Sequence, residues 1–190
     1  MEKLNKENKN DGISEVHRAT SSDAQEINQL YFDTWVKTYP NKDYGVSQKD
    51  LEEWLRPSLS EDSVKNNQEW LGNLPENVSV SVVRDKDKIV GFCYATKGDN
   101  SEHNKLRSIY VNTDYQGKGI GKALWDDANK FFDHSMPTDV QVVAYNEKAI
   151  NFYKRLGFVE NGNIITDDED YRLKNGVIIP QKNLILENKK

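Results

Sequence analysis

Residues 116–122 read Gln-Gly-Lys-Gly-Ile-Gly-Lys, with three glycines at alternate positions and two lysines. Glycine weakens a helix interior by about 1 kcal/mol relative to alanine. Yet Ile120, Leu124, Ala128 and Phe131 recur at helical spacing from the middle of this stretch onward. A chemical reason exists for placing glycines where a helix begins. The first N–H groups of a helix have no partner within it. Without a Cβ at Gly117, Gly119 and Gly121, a ligand can approach the main chain closely. The helix dipole then favours negative charge at that end, and Lys118 and Lys122 add point charge. A phosphate or diphosphate suits such a corner; a solvated glycine turn is the plainer alternative. The two common nucleotide loops do not fit. A P-loop needs glycine where Gln116 stands and Ser or Thr where Ala123 stands, and the dinucleotide fingerprint needs glycine where Lys122 stands.

The corner needs a strand before it and a helix after it. "KLRSIYV", residues 105–111, reads as the strand, and the spacing after Gly119 predicts the helix up to Pro137. Upstream, "VSVSVV" from Val78 alternates like a half-buried strand, "DKDK" is a turn, and "IVGFCYAT" returns as the second arm of a hairpin. Before that, Ile27, Leu30, Tyr31 and Trp35 predict an amphipathic helix entered through a capping box at Ser22 and Gln25. Leu51, Trp54 and Leu55 mark a second helix, and Val64, Trp70 and Leu71 a third. Downstream, "VQVVA" is a short strand, Asn146 caps a helix carrying Ala149, Phe152, Tyr153 and Leu156, and Gly157 stops it. The order of strands and helices with one strand–helix–strand crossover predicts an α/β fold with a mixed sheet.

Composition narrows the function. The chain has 190 residues, 30% of them charged, with a formal net charge of −5, which argues against a general nucleic-acid binder. Its single cysteine, Cys93, rules out an internal disulfide and points to no oxidising compartment. The opening residues lack an apolar leader, and no run of about 18 apolar residues occurs, so a cytoplasmic protein with no membrane partner is expected. Residues 1–14, rich in Lys, Asn and Glu, read as a mobile tail.

Gln116-x-x-Gly119-x-Gly121 resembles the (Arg/Gln)-x-x-Gly-x-(Gly/Ala) loop of the GCN5-related N-acetyltransferase (GNAT) family. "SIYVNTDYQGKGIGKAL" is similar to the family's motif A. "AYNEKAINFYKRLGF" is similar to its motif B through Asn146, Ala149, Phe152, Tyr153, Gly157 and Phe158. "HRATSSDAQEINQLYFDTW" resembles its first strand and helix. The resemblance implies one acyltransferase domain over residues 15–190, with a mixed, mostly antiparallel central sheet flanked by helices. It implies acetyl-coenzyme A (acetyl-CoA) as co-substrate and no metal, with a small-molecule or peptide amine as acceptor and a homodimer left open. By the same resemblance, the main chain of Gln116, Gly117, Lys118, Gly119, Ile120, Gly121 and Lys122 cradles the diphosphate. Ile109, Tyr110 and Val111 run along the pantetheine arm, and an N–H near Val111 polarises the thioester. Asn146 contacts the coenzyme, and Tyr153 contacts it and protonates the departing thiolate. A non-catalytic acyl-CoA-binding module is the alternative.

The proton acceptor is the gap in this reading. Relatives carry a glutamate early in the strand, where this chain has Lys105. Glu102 and His103 lie just upstream in a loop and read as solvated, and His17 and His134 read as surface or structural residues. For the acceptor, Trp35, Tyr39, Tyr44, Trp54 and Trp70 offer a pocket lining or simple helix–sheet packing. The acidic run Thr166–Tyr171 reads as a solvated loop that could also attract a cationic amine.

Overall fold

The computed structural model describes residues 13–98 and 103–187. Glu102 and most of the expected tail lie outside them, while Ile13 bridges to Asp85 and the Ser14 N–H donates to Arg84 O at 2.7 Å. A short strand β1 (His17–Arg18) leads through a 3-10 turn into helices α1 (Ala24–Thr38), α2 (Gln48–Leu55) and α3 (Glu61–Gly72). The hairpin follows as β2 (Val78–Asp85) and β3 (Lys88–Thr96). Then come β4 (Asn104–Val111), α4 (Ile120–Phe131), β5 (Thr138–Val143), α5 (Glu147–Arg155), β6 (Val159–Glu160) and β7 (Gln181–Leu186). The capping box that opens the helical half uses Thr20 and Asp23, two residues before Ser22: the Asp23 carboxylate accepts the Thr20 N–H at 2.9 Å. Asp23 prevails because its carboxylate also pairs with Arg84 on β2 and is buried, which locks the helix entry onto the sheet.

The seven strands are ordered β1-β2-β3-β4-β5-β7-β6, and every neighbouring pair is antiparallel except β4 and β5. The mixed, mostly antiparallel sheet expected from the sequence is therefore present. It lies between two helical layers. Val83, Val90, Cys93 and Leu106 pack under α4 and α5, while Val78, Val80, Val82 and Phe92 pack against α1 and α3. The β2 strand is thus buried on both faces rather than one, because helices cover each. A third cluster, centred on Trp35, Leu51, Leu55, Val143 and Ile179, ties α1 and α2 to β5 and the segment before β7. Among the described residues no helix is long and apolar enough to cross a membrane.

One irregularity shapes the site. The β4 strand pairs with β5 only from Asn104↔Thr138 to Leu106↔Val140. Past Leu106, residue Arg107 is skipped in the β3 register, a bulge that bends the strand. From there β4 stays with β3 through Gly91↔Val111, and β5 stays with β7 through Val143↔Gln181. The parallel pair therefore opens toward its carboxyl ends, the side of an α/β sheet where ligands bind.

Candidate active site

The glycine corner sits at that open end. Gly117 and Gly119 have φ of +79° and +86°, and nothing lies within 4 Å of a Cβ added to either. Both therefore answer a backbone demand that L side chains rarely meet. Gly121 has no such demand: a Cβ there would be 3.5 Å from the Phe152 ring, an ordinary contact. Gly91 on β3 allows the whole corner to settle, since its Cβ would stand 2.8 Å from Ile120 at the start of α4. The Ser47, Ser60 and Asn146 side chains cap α2, α3 and α5, whereas α4 has no side-chain cap. Among the described residues, the N–H groups from Gly117 to Lys122 donate to no protein acceptor. The corner keeps bare donors facing outward, which fits a diphosphate.

The loop is preorganised from its flanks. The Gln116 Nε2 donates to Val111 O at 3.3 Å, and the Asn112 side chain accepts the Asp114 N–H at 3.0 Å. The Tyr115 hydroxyl donates to Asp85 at 2.6 Å, and the Lys118 ammonium stands 4.4 Å from the centre of the Tyr115 ring. Lys122 does not stand free as a point charge, because Asp126 one turn on holds its ammonium at 2.6 Å.

Along β4 the alternation separates roles. The Asn112 N–H donates to Val90 O at 2.9 Å. Antiparallel alternation then turns the polar backbone of Tyr110 toward β3 and that of Ile109 and Val111 into the opening beside β5. The side chains of Ile109 and Val111 pack on the α4–α5 layer. The Tyr110 side chain goes to the opposite face, where its hydroxyl accepts the Trp35 indole N–H at 2.8 Å. Within the expected pantetheine strand, Ile109 and Val111 offer main-chain groups to the gap and Tyr110 does not.

Tyr153 is on α5, 5% exposed, with its ring against Phe152 and Phe158. Among the described residues its hydroxyl has no hydrogen-bond partner. The hydroxyl is not fully sealed from solvent, unlike the unpartnered Thr34 hydroxyl. Burial raises the Tyr153 phenol well above the ordinary range, with further contributions from Cys93 and Tyr39. It is therefore fully protonated at neutral pH. Asn146 combines two roles. Its side-chain oxygen caps α5 by accepting the Ala149 N–H at 3.2 Å, and its Nδ2 donates to the Tyr39 hydroxyl at 3.2 Å.

On the α1–α2 face the aromatic residues divide. Trp35 is a hub, with ring centroids 4.3 Å from Tyr39, 5.2 Å from Trp54 and 6.1 Å from Tyr171. Tyr44 pairs instead with Tyr145, and Trp70 with Tyr94 over a different core cluster. Tyr171 brings the acidic run with it. Asp168 accepts from the Gln141 side chain at 3.2 Å, and Gln141 is the β5 residue just past the last pair with β4. The acidic run Thr166–Tyr171 is legible in the sequence as one that could attract a cationic amine, but only the fold lays its Asp168 and Tyr171 against β5 and Trp35. His103 is far from this end. Its Nδ1 lies 2.8 Å from Asp139, beside the closed start of the β4–β5 ladder, where Lys105 also pairs with Asp139 in register.

A sheet opened between its two parallel strands, with an uncapped glycine corner at the mouth, defines an α/β scaffold with an anion-binding corner at its open end. Residues 25–158 match the Acetyltransferase (GNAT) family. The chain belongs to that family. It is 34% identical over 95 residues to the peptidyl-lysine N-acetyltransferase YjaB of Salmonella typhimurium, covering 50% of this chain and 59% of that protein. The chain thus spans under two thirds of that relative's length. Among solved structures, the PaiA N-acetyltransferase of Thermoplasma acidophilum in complex with coenzyme A superposes with a TM-score of 0.66, at 18% identity. That match covers 92% of this chain and 98% of that one. YncA of Salmonella typhimurium with its cofactor acetyl-CoA gives 0.59 at 16% identity, over 94% and 95% of the two chains.

Proposed function

We propose that this protein transfers an acetyl group from acetyl-CoA to a primary amine of a small molecule or peptide by direct attack. The observation that carries the reading is a coincidence of two features at one end of the sheet. One is a corner of bare main-chain donors from Gly117 to Lys122; the other is a strand pair that opens past Leu106 and Val140. The corner holds the diphosphate, and the thioester lies along Ile109 and Val111 with the Val111 N–H polarising its carbonyl. The amine nitrogen attacks the carbonyl carbon, the C–N bond forms and the C–S bond breaks. The departing thiolate takes the Tyr153 proton, the surplus amine proton leaves to water, and solvent reprotonates the phenol. Fixing both reactants in one cleft removes much of the entropic barrier.

The acceptor enters from the α1–α2 face, over Trp54 and Tyr171. Their rings and the carboxylates of Asp168 and Asp170, which act on Tyr171 electrostatically, favour a cationic amine. The named activity of the YjaB relative on peptidyl-lysine supports an amine of this kind. Lys105 occupies the place of the strand glutamate of other members, so water serves as proton acceptor and amines with a neutral fraction react fastest.

The test is release of free thiol from acetyl-CoA, with and without a panel of amines that includes spermidine and a lysine peptide. Amine-dependent release is expected. Tight acetyl-CoA binding by calorimetry with no turnover on any amine would favour the non-catalytic acyl-CoA-binding module. An absence of binding at millimolar acetyl-CoA removes both readings.

A further inference from the structure

Building on the acetyl-transfer reading, we propose that Tyr39 orients the acceptor amine, its hydroxyl oxygen receiving one amine N–H while Asn146 holds the hydroxyl from the coenzyme side. Tyr39 closes α1, with its N–H donated to Trp35 O at 3.1 Å. It is then pinned at three further points. Its carbonyl accepts the Tyr145 hydroxyl at 2.8 Å, its ring lies tilted against Trp35 with centroids 4.3 Å apart, and its hydroxyl accepts from the Asn146 Nδ2 at 3.2 Å. Tyr145 and Asn146 are successive residues at the β5–α5 corner, so a single side chain of the α1 layer is locked to the element that carries Tyr153. The direction of the Asn146 amide is settled by its other end, where the oxygen is occupied by the Ala149 N–H.

A phenol has one hydrogen to donate and two acceptor sites. Asn146 uses one site. Among the described residues nothing accepts the Tyr39 hydrogen and nothing donates to the second site, although the residue is only 8% exposed. A phenylalanine would pack on Trp35 equally well, so the hydroxyl exceeds what packing requires. Its surroundings indicate the missing partner. Asn146 caps α5, so the Tyr39 hydroxyl stands one hydrogen bond away from the helix that carries Tyr153. Burial pushes the Tyr39 phenol up to about 12, against the pull of the Asn146 hydrogen bond, so it is neutral in working conditions and neither repels nor deprotonates an amine outright. A neutral primary amine has two N–H groups and one lone pair. Donating an N–H to Tyr39 leaves that lone pair unblocked for the thioester carbon.

The test is Tyr39→Phe, which keeps the ring and removes only the hydroxyl, assayed with spermidine and with a lysine peptide. The expected result is a fall of roughly 10- to 100-fold in kcat/KM for the amine, the order expected from one lost orienting contact. Acetyl-CoA affinity by calorimetry should stay within about twofold, well under the tenfold that 1.4 kcal/mol represents. Unchanged kcat/KM for both amines overturns the proposal. So does a variant that loses acetyl-CoA affinity in step with kcat/KM, or one that does not fold, since either makes Tyr39 a structural residue. A wild-type protein that binds no acetyl-CoA fails the acetyl-transfer reading itself, a separate result.

Discussion

Tyr153, the proposed acid, is a place where one side chain would serve packing and chemistry together. Its ring belongs to the core cluster under α4 and α5, which is the structural role its place in an apolar helical stripe suggests. Among the described residues its hydroxyl nevertheless has no partner and is not fully sealed, which core packing does not explain. A phenol raised by burial stays protonated at neutral pH and so carries a proton to give, as a weaker acid than free tyrosine that the departing thiolate must draw on in the site. Tyr153→Phe should therefore lower kcat by about 100-fold or more, the usual worth of a positioned general acid, and leave acetyl-CoA affinity near its original value. The raised pKa also fixes a sign. The acid form persists through the neutral range and beyond the ordinary phenol value of about 10, so Tyr153 contributes no alkaline loss of activity below that pH. A pH–rate profile of kcat that falls between pH 7 and 9 in the wild type and not in the Phe variant would contradict this assignment.

At the scale of elements, the strand–corner–helix unit from Asn104 to Phe131 was legible from residue types. Glycines with lysines after a strand-like run and before a 3.6-residue period call for a helix start with bare donors, and α4 begins at Ile120 as that pattern requires. Gly119 offers the direct test. A leucine there meets no protein atom near its Cβ but must adopt φ of +86°, which costs roughly 1–2 kcal/mol. Gly119→Leu should thus remain folded with a modest drop in melting temperature. It should lose acetyl-CoA affinity by about 100-fold, some 2.8 kcal/mol, because the side chain occupies the approach to the donors. Retained affinity in calorimetry would remove the diphosphate from this corner. The opening between β4 and β5 was not legible in the same way. It depends on Arg107 bulging from the β3 register, and a bulge is a property of two paired strands that neither shows alone.

The whole molecule adds a collective property, a set of buried phenols. Tyr39, Tyr110 and Tyr153 are each raised by burial, and Tyr39 acts electrostatically on both of the others. In the unfolded chain they titrate near 10, in the folded one higher. Below about pH 10 both states keep the phenols protonated and their full contribution to stability is present. As pH rises past that value the unfolded state releases protons first, and stability falls by at most about 1.4 kcal/mol per pH unit for each phenol. Denaturant midpoints should be level from about pH 7 to 8, begin to fall near pH 9 as the buried Cys93 thiol adds its share, and drop steeply from about pH 10 to 11, with a smaller slope in that upper range in Tyr39→Phe. An equal slope in that variant would mean that Tyr39 is not held protonated by the fold.

The sequence by itself determined the glycine corner, the helix that follows it, the class of sheet, and the place of Tyr153 and Asn146, because each depends on residues within a few turns of one another. Only the tertiary structure decided which groups gather at the proposed acceptor side. Tyr39 and Asn146 are 107 residues apart along the chain, and Trp35 and Tyr110 are 75 apart. Asp168 reaches the site through Gln141, 27 residues away. Such pairs are selected by how helices pack on a twisted, bulged sheet, and no local preference of the residues involved encodes that packing.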